Sequence, residues 1–261
     1  MKKFLIILVG FCFLINCSDN STNQSEPPDR IQMVLKQEGF DTLAVERGID
    51  AGPNPNSDIN SIQLNWYKPL DYNSLVYYKI YKSEVPEGNI YYDVLGTTEN
   101  LLNPLDTVYT DSTQDLTINR RYWYFVTAVN ENGVESVPSD TVHYTLSAKA
   151  YDLSVNDYSS VVTQPNITFQ WYVKNEDIPA RGYYLRVEQI VSDDFHPLVF
   201  MKEFKTDEVD YKPPQTYEVQ KENFRNDMIN GLYRWRVDCK GDDLFSGSES
   251  DWAIFTVNLG K

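Results

Sequence analysis

Residues 121–136 read RYWYFVTAVNENGVES, and their spacing decides the fold. Tyr122, Tyr124, Val126 and Ala128 fall on every second position, with Trp123 and Phe125 between them. That is the period of a half-buried strand, not of a helix. The run turns at Asn132-Gly133, a dipeptide suited to the positive-φ positions of a tight hairpin. The segment DTVHYTL (140–146) then reads as the returning strand.

The same pattern continues upstream. SIQLNWYKP (61–69) sets Ile62, Leu64 and Trp66 on one face against Gln63, Asn65 and Tyr67 on the other. VYYKIYK (76–82) is expected to point Val76, Tyr78 and Ile80 inward and Tyr77, Lys79 and Tyr81 outward. No apolar period of 3.6 runs past ten residues here. The class is therefore all-β, most simply a two-sheet sandwich.

DLTINRRYWYFVTAVNENGVESVPSDTVHYTL (115–146) resembles the second half of a fibronectin type III domain. Leu116 precedes Tyr122 by six residues, the spacing of that family's tyrosine corner, and Val126, Ala128 and Asn130 follow in its pattern. Trp66 stands where the family carries an early core tryptophan. The resemblance spans roughly residues 28–147 and implies an immunoglobulin-like sandwich. It is interrupted by GFDTLAVERGIDAGPNPNSD (39–58), within an overlong 39–60 segment that reads as either a surface loop or an extra edge element.

The pattern then repeats. NITFQWYVK (166–174) places Ile167, Phe169 and Trp171 as SIQLNWYKP places Ile62, Leu64 and Trp66, and Trp66 and Trp171 lie 105 residues apart. GYYLRVEQI (182–190) echoes the tyrosine-rich strand. GLYRWRVDCKG (231–241) directs Tyr233, Trp235, Val237 and Cys239 inward, and DWAIFTV (251–257) closes the copy. Two tandem fibronectin type III-like sandwiches are expected, 30–147 and 148–261, with the boundary near Ser147-Ala148-Lys149. In the second copy no leucine precedes Tyr233 by six residues, and FRNDMIN (224–230) is expected to form a helical turn.

The N-terminus sets the compartment. Lys2 and Lys3 precede an uncharged apolar run of 12 residues, Phe4 to Ile15. That is short of the roughly 20 a membrane span needs and fits an export signal. Leu14-Ile15-Asn16-Cys17 resembles the bacterial lipobox, with Asn16 where a smaller residue is usual. The resemblance implies a signal peptide over 1–16 and acylation of Cys17 as the membrane anchor, with 17–29 as lipidated cysteine and flexible tether. Ser18 after the cysteine favours the outer membrane, because the resemblance places an inner-membrane retention signal in an aspartate at that position. A bacterial cell-envelope location follows.

Charge and cysteines narrow the function. Formal charge is −15, and losing Lys2 and Lys3 with the leader makes it −17, which argues against nucleic acid and against attraction to anionic lipid. The membrane partner is then the lipid on Cys17 alone. Cys12 leaves with the leader and Cys17 is acylated, so Cys239 stands alone and reads as a small core hydrophobe without a disulfide.

Motifs for chemistry are sparse. His143 and His196 lack metal-ligand spacing, so no metal, cofactor or catalytic residue is assigned. Asp193-Asp194 and Asp242-Asp243 read as solvated turns, and a hydrolase working through a carboxylate pair is kept as the remote alternative. With Tyr122 and Tyr124 inward, Trp123 and Phe125 share the outer face with Tyr77 and Tyr81. These four are the candidate binding surface for an envelope protein or, alternatively, a glycan, unless residues 39–60 or the second module cover them. On the matching face of the second module stand Arg234, Arg236, Lys240, Tyr184 and Arg186, within reach of Glu188 and Asp238. The expected role is a non-enzymatic recognition or spacing module.

Overall fold

In a computed structural model the described residues are 26–34, 60–70, 74–84, 91–157, 160–164, 166–173, 180–205, 208, 214–224, 228–241, 243 and 245–260. The leader, Cys17, most of the tether and residues 39–59 lie outside them.

The regular structure of the described residues is strand, apart from short 3-10 turns, and forms two sandwiches. In the first, β1 (Gln32–Met33), β2 (Ile62–Tyr67) and β5 (Val108–Asp111) make one sheet in the order β1-β2-β5. Facing it are β4 (Asp93–Thr97), β3 (Leu75–Ser83), β6 (Arg121–Asn130) and β7 (Val142–Leu146), in the order β4-β3-β6-β7. The second sandwich repeats the plan. β8 (Ala150–Tyr151), β10 (Ile167–Val173) and β13 (Gln215–Val219) form one sheet, with β10 between the others. β11 (Gly182–Ile190), β12 (Leu198–Lys205), β14 (Gly231–Lys240), β15 (Ser246–Glu249) and β16 (Ala253–Val257) form the other, with β9 (Val161–Val162) on β16.

The alternation read from sequence holds in the central strands. Ile62, Leu64, Trp66, Tyr122, Tyr124, Val126 and Ala128 are buried in a core that runs from Ile31 to Leu146. Ile167, Phe169, Trp171, Tyr233, Trp235, Val237 and Cys239 are buried in a second core running from Ala148 to Val257. The Tyr122 hydroxyl donates to Asp115 O at 2.8 Å and accepts from Thr117 N at 2.9 Å, closing the corner over buried Leu116. Tyr233 does the same over a shorter span, bonding both N and O of Ile229, with Met228 buried in place of the missing leucine.

One expectation is corrected. Val76 is exposed and Leu75 is buried in its place, because β3 bulges there: Leu75 pairs with Asn130 and Tyr77 with Val129, leaving Val76 unpaired. A 3-10 turn stands at Lys221–Asn223, with Phe224 extended; the helical turn expected over 224–230 falls on residues 225–227, which lie outside the described set. The hairpin at Asn132-Gly133 does form, with Gly133 at φ 74°, but β7 resumes only at Val142. Between them, Ser136 N and Ser139 N bond to the carbonyls of Ala128 and Val126.

The two modules share a sheet. β15 pairs in parallel with β7, matching Ser246 to Thr145 and Gly247 to Leu146, so ten strands run continuously across the junction. Thr145 N donates to Phe245 O and Ser147 N to Gly247 O, both at 2.9 Å. Arg121 pairs with Asp243 at 2.9 Å, and the Ser248 hydroxyl donates to Ala148 O. Phe245 also packs against the first core and Ile118 against the second. The turn before β15 is tight enough to require glycine at 241, where a Cβ would meet Ser246 at 2.2 Å.

Candidate functional site

The outer face of β3, β6 and β7 carries the four aromatics expected there, each half-buried. Register brings Tyr81 opposite Phe125 and Trp123 opposite His143. The Tyr81 and Phe125 rings stack with centroids 4.5 Å apart, and Tyr92 meets Phe125 edge-on at 4.8 Å. Trp123 lies 6.4 Å from His143, which lies 4.8 Å from Phe245 of the second module. Tyr77 stands two positions before Lys79, nearer the bulge.

A carboxylate ties this face together. Glu135 accepts from Lys79 Nζ and the Tyr81 hydroxyl, each at 2.7 Å, and from Thr127 Oγ1 at 3.0 Å. Burial would raise its pKa, but those three hydrogen bonds more than offset this and lower it. Lys79 is raised, chiefly by its bond to Glu135, and Tyr81 by burial. His143 is lowered by burial and by the Arg121 charge, against a smaller opposing pull from Asp243. The ring faces of Tyr81 and Phe125 are turned on each other, and the Tyr81 hydroxyl is held by Glu135. The face is an aromatic band that reaches the junction through Phe245, the second module's contribution.

On the second module the matching face is ionic. Arg186 sits directly opposite Arg236 in the register, a like-charge placement that needs compensation. Arg186 and Arg234 both pair with Glu188, and Arg236 pairs with Asp238 at 3.1 Å and Glu249 at 2.9 Å. Lys240 pairs with Glu203 and lies 5.1 Å from the Tyr184 ring. Trp252 lies 4.0 Å from the Arg234 guanidinium and 4.7 Å from that of Arg236, a cation–π arrangement that covers both. The basic stripe read from sequence is thus paired across the sheet with acids in the same ladder.

A third cluster escaped the sequence reading. Lys82, buried at the end of β3, reaches Asp111 Oδ2 and Asp115 Oδ2, each at 3.0 Å, and Asp111 is buried on the opposite sheet. The Tyr124 hydroxyl donates to Asp111 at 2.9 Å. Strand parity was the available signal, since Tyr78, Ile80 and Lys82 share the inward face. The cluster floors a cleft of about 520 Å³ rimmed by Glu84, Tyr91 and Asp93. Its Lys82 and carboxylates are engaged with one another as an inter-sheet clasp.

Elsewhere, Asp193 and Asp194 are exposed in the β11–β12 turn, Asp242 lies outside the described residues and Asp243 holds Arg121. Cys239 is buried, and desolvation pushes its thiol up to about 12. Among the described residues no group of three His, Cys, Asp or Glu could hold a metal ion.

No protein-family model matches the chain, and no curated protein matches it. Solved structures do. Chicken CNTN1 FN1-FN3 domains align at 14% identity with a TM-score of 0.34, covering 89% of this chain and 68% of that one. The twitchin kinase region of C. elegans aligns at 17% identity and TM-score 0.30, covering 46% and 17%. An Fn3-like protein from Clostridium thermocellum aligns at 23% and TM-score 0.26, covering 38% and 84%. At these scores the likeness adds nothing to what the chain's own strands establish. Strand order, twin cores and tyrosine corners make it two tandem fibronectin type III-like sandwiches.

Proposed function

We propose that the chain is a non-enzymatic, lipid-anchored protein of the bacterial cell envelope, outer membrane favoured, whose two sandwiches act as one spacing and recognition unit. The observation that supports the spacing reading is the parallel β7–β15 pairing. It turns two modules that could have been joined by a loose linker into one sheet, braced by Arg121–Asp243 and Phe245. A ten-residue strand spans about 33 Å, so two modules end to end hold their far end roughly 60–65 Å from the near one. Recognition of a protein is favoured over a glycan, because mutual stacking takes up one face of each of the Tyr81 and Phe125 rings, Tyr92 packs edge-on against Phe125 and Glu135 holds the Tyr81 hydroxyl.

Spin labels at exposed Val108 and Val161, one on each module, test the fixed spacing. A single narrow distance distribution is expected, broadening in a Phe245→Ala, Arg121→Ala variant. A broad distribution in the parent refutes the spacer. Cys17→Ala should leave unprocessed precursor and abolish fatty-acid labelling; continued labelling with membrane retention refutes the anchor.

A further inference from the structure

The incoming chain is pinned across one pole of the first module. Asn130 Nδ2 donates to Glu26 O at 3.1 Å, Arg30 Nε donates to Pro138 O at 2.8 Å and Arg30 pairs with Asp140 at 2.8 Å, while Ile31 is buried. The place where the preceding segment leaves the body is therefore set. Around that pole the apolar side chains point out. Leu70 is 98% exposed, Tyr67 58%, Val137 58% and Val76 41%, the last turned outward by the β3 bulge. Between Tyr67, Pro69 and Leu70 on one side and Arg30 on the other lies a cleft of about 350 Å³.

We propose that this pole docks on the surface of the bilayer that holds the Cys17 lipid, with Tyr67 and Leu70 at the boundary between headgroups and acyl chains. The inference rests on the Cys17 reading. Residues 18–25 separate Cys17 from Glu26, and eight residues reach about 16 Å as a flexible chain and under 30 Å fully extended. The apolar pole is thus confined close to the interface, whereas the opposite end of the molecule is not. An aromatic ring and aliphatic side chains are the groups that partition there. Glu26, Asp29, Glu131 and Asp140 outnumber Arg30 and Lys68 around the pole, so charge adds no pull toward anionic headgroups, and the attraction to a neutral bilayer is apolar and insensitive to salt. It adds a second membrane contact to an anchor otherwise made by lipid alone.

The test uses the full lipidated chain in phosphatidylcholine vesicles, spin-labelled at Leu70→Cys or, at the far end, Phe195→Cys; buried Cys239 takes no label. On vesicle binding, collision of the label at 70 with a water-soluble nickel complex should fall severalfold and collision with oxygen should rise. The label at 195 should not change, and neither result should shift between low and high salt. If the vesicle-bound chain keeps both labels equally accessible to nickel, the docking is refuted while the anchor stands. A chain that does not float with vesicles fails the anchor reading, and the docking with it. Protection at 70 that appears without vesicles and grows with protein concentration would show a second copy on this pole and overturn the proposal.

Discussion

Replacing Lys82 by methionine keeps the apolar stem and removes only the charge, so it isolates what the inter-sheet clasp contributes. The ammonium lies 3.0 Å from Asp111 Oδ2, and the two side chains are 8% and 0% exposed. Once it is gone, Asp111 keeps only neutral donors, the Tyr124 hydroxyl at 2.9 Å and Thr113, whose N–H stands at 3.0 Å. Removing one partner of a buried pair costs about 3–5 kcal/mol. The remaining neutral hydrogen bonds, worth about 1 kcal/mol each, place the expected loss at the lower end, about 3 kcal/mol. Hydrogen exchange read by mass spectrometry separates the modules: the opening free energy of β6 amides should fall by that amount while β14 changes little. Adding Asp111→Asn should return β6 to within about 1 kcal/mol of the parent, because no uncompensated charge is left. If Lys82→Met alone stays within about 0.5 kcal/mol, the pair behaves as a solvated surface bridge and the clasp reading fails.

Three further outcomes are expected. Burial would raise the Asp115 carboxyl, but the hydrogen bonds from Thr113 and Lys82 and the Lys82 charge hold it at about 2, against 3.8 unperturbed. Its contribution to stability is therefore complete above about pH 4 and is lost as pH falls through the folded value. A carboxyl-carbon titration with a midpoint at or above 3.8 would contradict this. Tyr122→Phe leaves the Thr117 N–H without its hydroxyl acceptor and should cost about 1–3 kcal/mol in urea unfolding; an unchanged midpoint would mean the corner is ornamental. Trp123→Ala with Tyr81→Ala removes two half-buried rings, one stacked on Phe125 and the other beside His143, and should cost about 1–2 kcal/mol. A variant that melts early yet binds every partner of the parent would leave these rings as packing alone.

Sequence parity located the cores because a one-residue slip in β2, β6, β10 or β14 would expose every inward side chain at once. The ionic face of the second module was legible for the same reason, since Arg234, Arg236 and Asp238 alternate with Trp235 and Val237. Val76 was misplaced because a bulge belongs to a strand pair, not to one strand's pattern. Lys82 sat on the inward face by parity, but nothing local showed that Asp111 of the other sheet would meet it. The fate of the aromatic face was equally hidden, since Phe245 comes from a distant turn and Glu135 reaches Lys79 and Tyr81 only once its hairpin has folded back over β3. One local signal was overlooked: Ser139-Asp140 and Ser250-Asp251 repeat, and each serine hydroxyl accepts the N–H of an inward valine, Val126 or Val237, at 3.0 Å.

The parallel pairing of β15 on β7 also gives the chain an order of assembly. As the polypeptide emerges N-terminus first, the earlier module can close before the later one is complete, and β7 then waits as an unpaired rim with open amides and carbonyls. Such a rim is a template that any extended segment could occupy. The segment it is built to receive is 101 residues downstream in the same molecule, so a delay in synthesis leaves a sticky intermediate. Truncation before Ser246, which removes β15, should therefore produce oligomers joined through the open β7 edge of an otherwise folded first module.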